Sequence, residues 1–163
     1  MIEPIHEGIA VTVLGVGNSI MGDDGVGVEL LALVQAACPD SRIAYIYGGT
    51  GGLELLEYLQ DSRRILLLDA VAGPVPGAVV ELTGDQITRL LSAKLSPHQV
   101  SLLDVFYAAR LTGREPELVA VIGIVPELVE MRVGLTPVVA AALPEAVERA
   151  LALLGRWLDD CDE

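Results

Sequence analysis

The residues able to do chemistry in this chain fall at a few separated positions. The densest stretch is Gly15-Val16-Gly17-Asn18-Ser19-Ile20-Met21-Gly22-Asp23-Asp24-Gly25-Val26-Gly27, in which two adjacent carboxylates stand among five glycines. A dinucleotide-binding loop would carry glycine where this chain has Ile20, and would offer amide donors, not carboxylates, to a pyrophosphate. Phosphate cradling is therefore disfavoured. One of Asp23 and Asp24 suffices to cap a helix opening near Gly25, which leaves the second available to ligate a cation. Asp69 closes the apolar run that starts at Ile65. A carboxylate at the end of a buried strand is costly unless it finds a donor or a cation, so Asp69 either bonds loop amides or serves a site. His98 lies in Ser96-Pro97-His98-Gln99, which reads as a capping box with Ser96 as N-cap and Pro97 at the first helical position. The positive end of the helix dipole then disfavours the imidazolium and leaves the neutral, metal-binding ring; the plainer alternative is a surface histidine at a helix start. Gly48-Gly49-Thr50-Gly51-Gly52 has four glycines in five residues, either as a flexible turn or because backbone must come close to something, such as a peptide main chain or an oxyanion.

The elements that must hold these positions are legible from hydrophobic pattern. Ile9 to Val16, Ile65 to Leu68 and Leu118 to Val125 are continuous Val/Ile/Leu-rich runs, the mark of strands buried on both faces of a mostly parallel sheet. Arg42 to Tyr47 and Ala78 to Leu82 read as further strands, the second at an edge because Gly73, Pro74, Pro76 and Gly77 precede it. Helical stripes are formed by Val26, Leu30, Leu33 and Val34, and by Leu53, Leu56 and Leu59, followed by Val100 to Leu111. Pro137 to Leu158 forms a long Ala/Leu/Val helix that Pro144 is expected to kink or split. Pro126-Glu127 and Thr136-Pro137 mark a strand exit and a helix start, and Glu127 is a weaker candidate for the same cleft. The order of elements predicts an open α/β sandwich within one domain spanning 1–163. If the first strand neighbours the one ending in Asp69, Asp24 and Asp69 meet where open α/β sheets bind ligands, outside the carboxyl ends of the strands.

Composition removes several classes of function. With 163 residues, 52% hydrophobic, and a formal charge of −13, the chain is too apolar for disorder and repels nucleic acid and anionic lipid. The longest uncharged stretch, Gly8 to Gly22, is 15 residues with four glycines, short of the about 18 apolar residues of a membrane span. The amino-terminal MIEPIHEGIAVTV has no basic region before its apolar run, so a cytoplasmic location without membrane insertion is expected. Cys38 and Cys161 form no CxxC or Cys/His spacing, so neither a zinc module nor a redox pair is encoded and any metal must rely on carboxylate and imidazole donors. No serine or cysteine stands with an evident base to act as nucleophile.

Together, GVGNSIMGDDGVG, GGTGGLELLE, LLLDAV, SPHQ, LLDVFYAARLTG, and GIVPE with VGLTPVV resemble the hydrogenase maturation endopeptidases that process the large subunit of nickel-iron hydrogenases. The resemblance runs from about Ile9 to Leu154. It implies a three-layer α/β sandwich with a twisted, mostly parallel five-stranded sheet between helices. It also implies an endopeptidase that removes the C-terminal tail of the large-subunit precursor once nickel has been installed. By position the family's nickel-contacting residues match Asp24, Asp69 and His98, with Asp24 and Asp69 the catalytic carboxylates. Some members carry Glu where this chain has Asp24, one methylene longer. The implied metal is nickel, either carried by the precursor as the recognition handle while the carboxylates position water, or bound as the catalyst itself, with no organic cofactor, and Gly48, Gly49, Thr50, Gly51 and Gly52 are the expected contacts for the tail. The competing readings are a nickel-checking maturation chaperone without proteolysis and a small-molecule α/β hydrolase.

Overall fold

The computed structural model describes residues 8–50, 55–60, 62–84, 86–87 and 108–161. Its strands are β1 (Val11–Val16), β2 (Ile43–Gly49), β3 (Arg64–Ala70), β4 (Val79–Thr83) and β5 (Leu118–Ile124). They form one sheet in the order β2-β1-β3-β5-β4, with β4 alone antiparallel and, as its glycine and proline flank suggests, at an edge. Every residue of β1 is buried, as are all but the first of β3, which is why these strands read as unbroken apolar runs.

Alternation along the strands feeds two cores. Val11 and Val13, Leu66 and Leu68, and Ala120, Ile122 and Ile124 face helices α1 (Val26–Ala37) and α3 (Pro137–Cys161). Leu14 and Val16, Ile65 and Leu67, and Val121 face the opposite side with Leu55, Leu59 and Ile87; Leu59 lies in the short helix α2 (Leu56–Leu59). The sheet is thus covered by helices on both faces, the α/β sandwich expected.

Three local expectations change. In α1 the buried face is Val26, Gly27, Leu30, Leu31 and Val34, while Leu33 is exposed at its border. The cause is Gly27: a Cβ there would stand 2.2 Å from Val16 O, 2.3 Å from Leu68 O and 2.9 Å from the Cα of Asp69. The helix seats its glycine on the backbone of β1 and β3, which turns the face toward Gly27 and Leu31. Second, α3 is one helix through Pro144 and is not split there. Third, no carboxylate caps α1; a 3-10 turn at Gly22–Gly25 leads into it, Gly25 is its N-cap, and no side chain bonds there. Of the helix expected over Val100 to Leu111, residues 108–111 are helical; its remainder, and the capping box at Ser96, lie outside the described residues.

The sheet order places a switch point between β1 and β3, because the chain leaves β1 for β2 on one side and returns from β2 to β3 on the other. Both strands are parallel and paired through Gly15 and Leu68, so their carboxyl ends open at one edge. This seat of α1 yields a stability test. Gly27→Ala is expected to cost about 3 kcal/mol, since all three nearest atoms are backbone and cannot yield. Gly155→Ala, in α3 with nothing within 4 Å of the added Cβ, is expected to stabilise by about 1 kcal/mol. Urea unfolding midpoints of the two variants would show opposite shifts; equal ones would refute the close seat.

Candidate active site

Asp69 is the penultimate residue of β3, 1% exposed, and its Oδ1 accepts a 2.8 Å hydrogen bond from the N–H of Ala70. Asp24 is half-buried in the 3-10 turn after β1, and its Oδ2 accepts from the N–H of Asn18 at 2.9 Å, closing the loop on itself. The 3-10 turn packs against β3, and Gly27, three residues beyond Asp24, rests on the backbone of Asp69. Both carboxylates therefore stand at the β1/β3 switch point. Gly17 makes the loop possible: its φ is 141°, and a Cβ there would lie 2.0 Å from the carbonyl oxygen of Asp24.

Gly48 and Gly49 end β2 beside this edge, and Thr50 follows, exposed. The pairing of β1 with β2 slips after Gly15, so that Val16 stands opposite Gly49, and Gly17 N–H donates to Gly49 O at 2.9 Å. The backbone these two glycines approach is that of β1: a Cβ on Gly48 would stand 3.0 Å from Gly15 O. Gly51, Gly52 and His98 lie outside the described residues. Among the described residues no three His, Cys, Asp or Glu side chains stand together as a metal site.

Asp23 does something the sequence does not announce. It is fully buried, and instead of capping α1 it reaches over to the segment between β5 and α3. Its Oδ2 accepts from the N–H groups of Glu127 (2.9 Å) and Leu128 (3.0 Å) and from the hydroxyl of Thr136 (2.8 Å). Its Oδ1 accepts from the N–H of Thr136 at 2.7 Å. Burial alone would raise its pKa, but the bonds from Thr136, Leu128 and Glu127 outweigh that and hold it below 3.8. Glu127, a weaker candidate for the cleft, contributes its amide to this carboxylate. The partners are 104 to 113 residues away in sequence, so only an unexplained second acid beside Asp24 pointed to the staple.

An open α/β sheet that presents carboxylates at its β1/β3 switch point has them where proteins of this class bind their ligands. Residues 28–153 match the family model described as hydrogenase maturation protease. The chain is 36% identical to the hydrogenase 2 maturation protease of Escherichia coli over 147 residues, 88% of this chain and 90% of that protein. It is 35% identical to the hydrogenase expression/formation protein HoxM of Cupriavidus necator over 151 residues, 90% of this chain and 75% of the relative. Among solved structures, the hydrogenase maturating endopeptidase HybD from E. coli superposes with a TM-score of 0.82 at 33% identity, covering 90% and 92% of the two chains. This chain belongs to the hydrogenase maturation protease family, and its general activity is that of a peptidase.

The Asp23 staple carries a prediction about acid stability. A carboxyl whose folded pKa lies below its unfolded value stabilises the fold fully above about 3.8, because there the unfolded chain binds no extra proton, and loses that contribution as pH falls through the folded value. Asp23→Asn, which keeps the shape but removes the charge, is expected to lose about 2 kcal/mol at pH 7. The gap to the parent should narrow below pH 3.8. Chemical unfolding of both proteins from pH 7 down to acid checks it; a gap independent of pH would show that the charge of Asp23 is not what those donors recognise.

Proposed function

We propose that the protein is an endopeptidase that removes the C-terminal tail from a nickel-iron hydrogenase large-subunit precursor after nickel insertion, with the cytoplasm as its compartment. The observation that supports this most is the placing of Asp24 and Asp69 at the β1/β3 switch point of a hydrogenase maturation protease fold. The relatives matched are a hydrogenase 2 maturation protease and a hydrogenase expression/formation protein, so a hydrogenase precursor is the substrate they suggest. No described helix is long and apolar enough to cross a membrane.

In this reading nickel arrives as part of the substrate. Two hard carboxylate oxygens with one imidazole and no thiolate hold a free divalent ion weakly, and the described residues show no cluster of three His, Cys, Asp or Glu. A precursor that carries nickel on its own ligands supplies what is missing, with Asp24, Asp69 and His98 completing the sphere. The metal then acts as the handle that sets the scissile bond in register. Hydrolysis needs water to add its oxygen to the carbonyl carbon, a base to take a water proton, and a proton delivered to the departing amine nitrogen. Asp24 and Asp69 are the groups placed to orient the water and move that proton. In this reading the tail is held by Gly48, Gly49 and Thr50 at the end of β2, together with Gly51 and Gly52.

Asp24→Asn and Asp69→Asn are each expected to lower processing of nickel-loaded precursor by at least about 100-fold, the usual weight of a positioned acid or base. His98→Ala should weaken binding of the loaded precursor and hardly change binding of the apo form. Purified enzyme offered both forms in parallel, with loss of the tail followed by intact mass, should process the nickel-loaded one alone. Equal rates, or digestion of casein, would overturn the nickel-gated reading, and a loaded precursor of unchanged mass would point to a chaperone.

A further inference from the structure

Ten large hydrophobic side chains are exposed among the described residues, and four of them, Ile20, Val129, Met131 and Val133, stand on two short segments hydrogen-bonded to each other. Met131 is 82% and Val133 84% exposed. The segments are joined in a strand-like bridge at Met21 and Arg132: Arg132 N–H donates to Ile20 O at 2.9 Å and Gly22 N–H to Arg132 O at 2.8 Å. Asp23 N–H donates to Leu128 O at 3.0 Å, and the Asp23 carboxylate takes the bonds from Glu127, Leu128 and Thr136 described above. The segment 127–136 is thus fastened along its length to the loop whose next residue is Asp24.

Three features distinguish this arm from a scattering of surface apolar residues. It is pre-organised, so binding through it forfeits little conformational freedom. It is nearly neutral within a chain of net charge −13: the charged residues of 127–136 are Glu127, Glu130 and Arg132, a net of −1. Exposed apolar side chains on a segment of so little net charge, in a strongly acidic protein, suit an apolar protein face and offer nothing to a polyanion or an anionic membrane. It is also continuous with the carboxylates through Asp23, so a folded body whose tail enters the switch point comes to rest beside it.

We infer that Ile20 and the segment 128–133 are the docking arm for the folded body of the precursor, with Met131 and Val133 as specificity-determining residues that meet an uncharged apolar face next to the scissile tail. This rests on the proposed precursor-processing activity. The arm supplies affinity for the body, and the carboxylates act on the tail.

The test is steady-state processing of nickel-loaded precursor by the full-length double variant Met131→Ser/Val133→Ser and by the apolar replacement Met131→Leu/Val133→Ile. Because both side chains are exposed, the melting temperature should not move. The serine variant is expected to raise KM about tenfold with kcat within about twofold of the parent, and the apolar replacement to restore KM. Sedimentation of parent and variant should show the same oligomeric state. An unchanged KM in the serine variant, with the parent active, overturns the docking arm and leaves the processing activity standing. A parent dimer that the serine variant converts to monomer also overturns it, by giving the patch to a second copy. A parent that never processes the precursor overturns both.

Discussion

The carboxylate of Asp23 is the interaction on which the working edge of this protein depends. An ionised group without solvent contact survives only where donors replace its water, and here three backbone N–H groups and a hydroxyl do so. Those donors belong to the exit of β5 and to Thr136, the residue before α3, so one side chain ties the loops after the first and last strands to the start of the last helix. The bonds also satisfy amides that the 127–136 segment would otherwise leave unpaired, since it belongs to no strand or helix.

Two glycines, one in the same loop and one in the first turn of α1, complete what the staple begins. Gly27 brings α1 down onto the ends of β1 and β3, and Gly17 lets the chain fold back over the carbonyl of Asp24. Side chains at either position would lift the helix or the loop from the sheet and open the switch point. The adjacent acids have divided roles as a result. Asp23 turns inward and is saturated, while Asp24 stays half-buried and gives one oxygen to Asn18. Neither acid caps α1. The 3-10 turn leads the chain into the helix without a side-chain cap.

The chemistry suited to such an edge follows from its donors. Asp24 and Asp69 stand at the carboxyl ends of neighbouring parallel strands, where open α/β sheets bind their ligands. The family to which the chain belongs is that of the hydrogenase maturation proteases. On the far side of the staple the segment 127–136 exposes Val129, Met131 and Val133, an apolar surface of little net charge on a chain of net charge −13.

Much of the architecture was already legible in the sequence, because burial on both faces of a parallel strand forces continuous apolar runs and because edge strands tolerate glycine and proline beside them. The five strands, α1, the edge position of β4 and the start of the last helix at Thr136-Pro137 follow from that physics. The positions of Asp24 and Asp69 after β1 and at the end of β3 were legible for the same reason, and the ordered motifs identified the family. The tertiary structure decided the strand order that makes β1 and β3 neighbours, the rotation of α1 onto Gly27 that exposes Leu33, the continuity of α3 through Pro144, and which of the two adjacent acids turns inward. These are contacts between residues tens to more than 100 positions apart. Local pattern reports whether a residue is apolar and how its neighbours repeat, and carries no information about a partner that only folding brings near. Asp23 is the sharpest instance: beside Asp24 in the chain it is chemically indistinguishable, and only the arrival of Thr136 and the 127–128 amides gives it a different task.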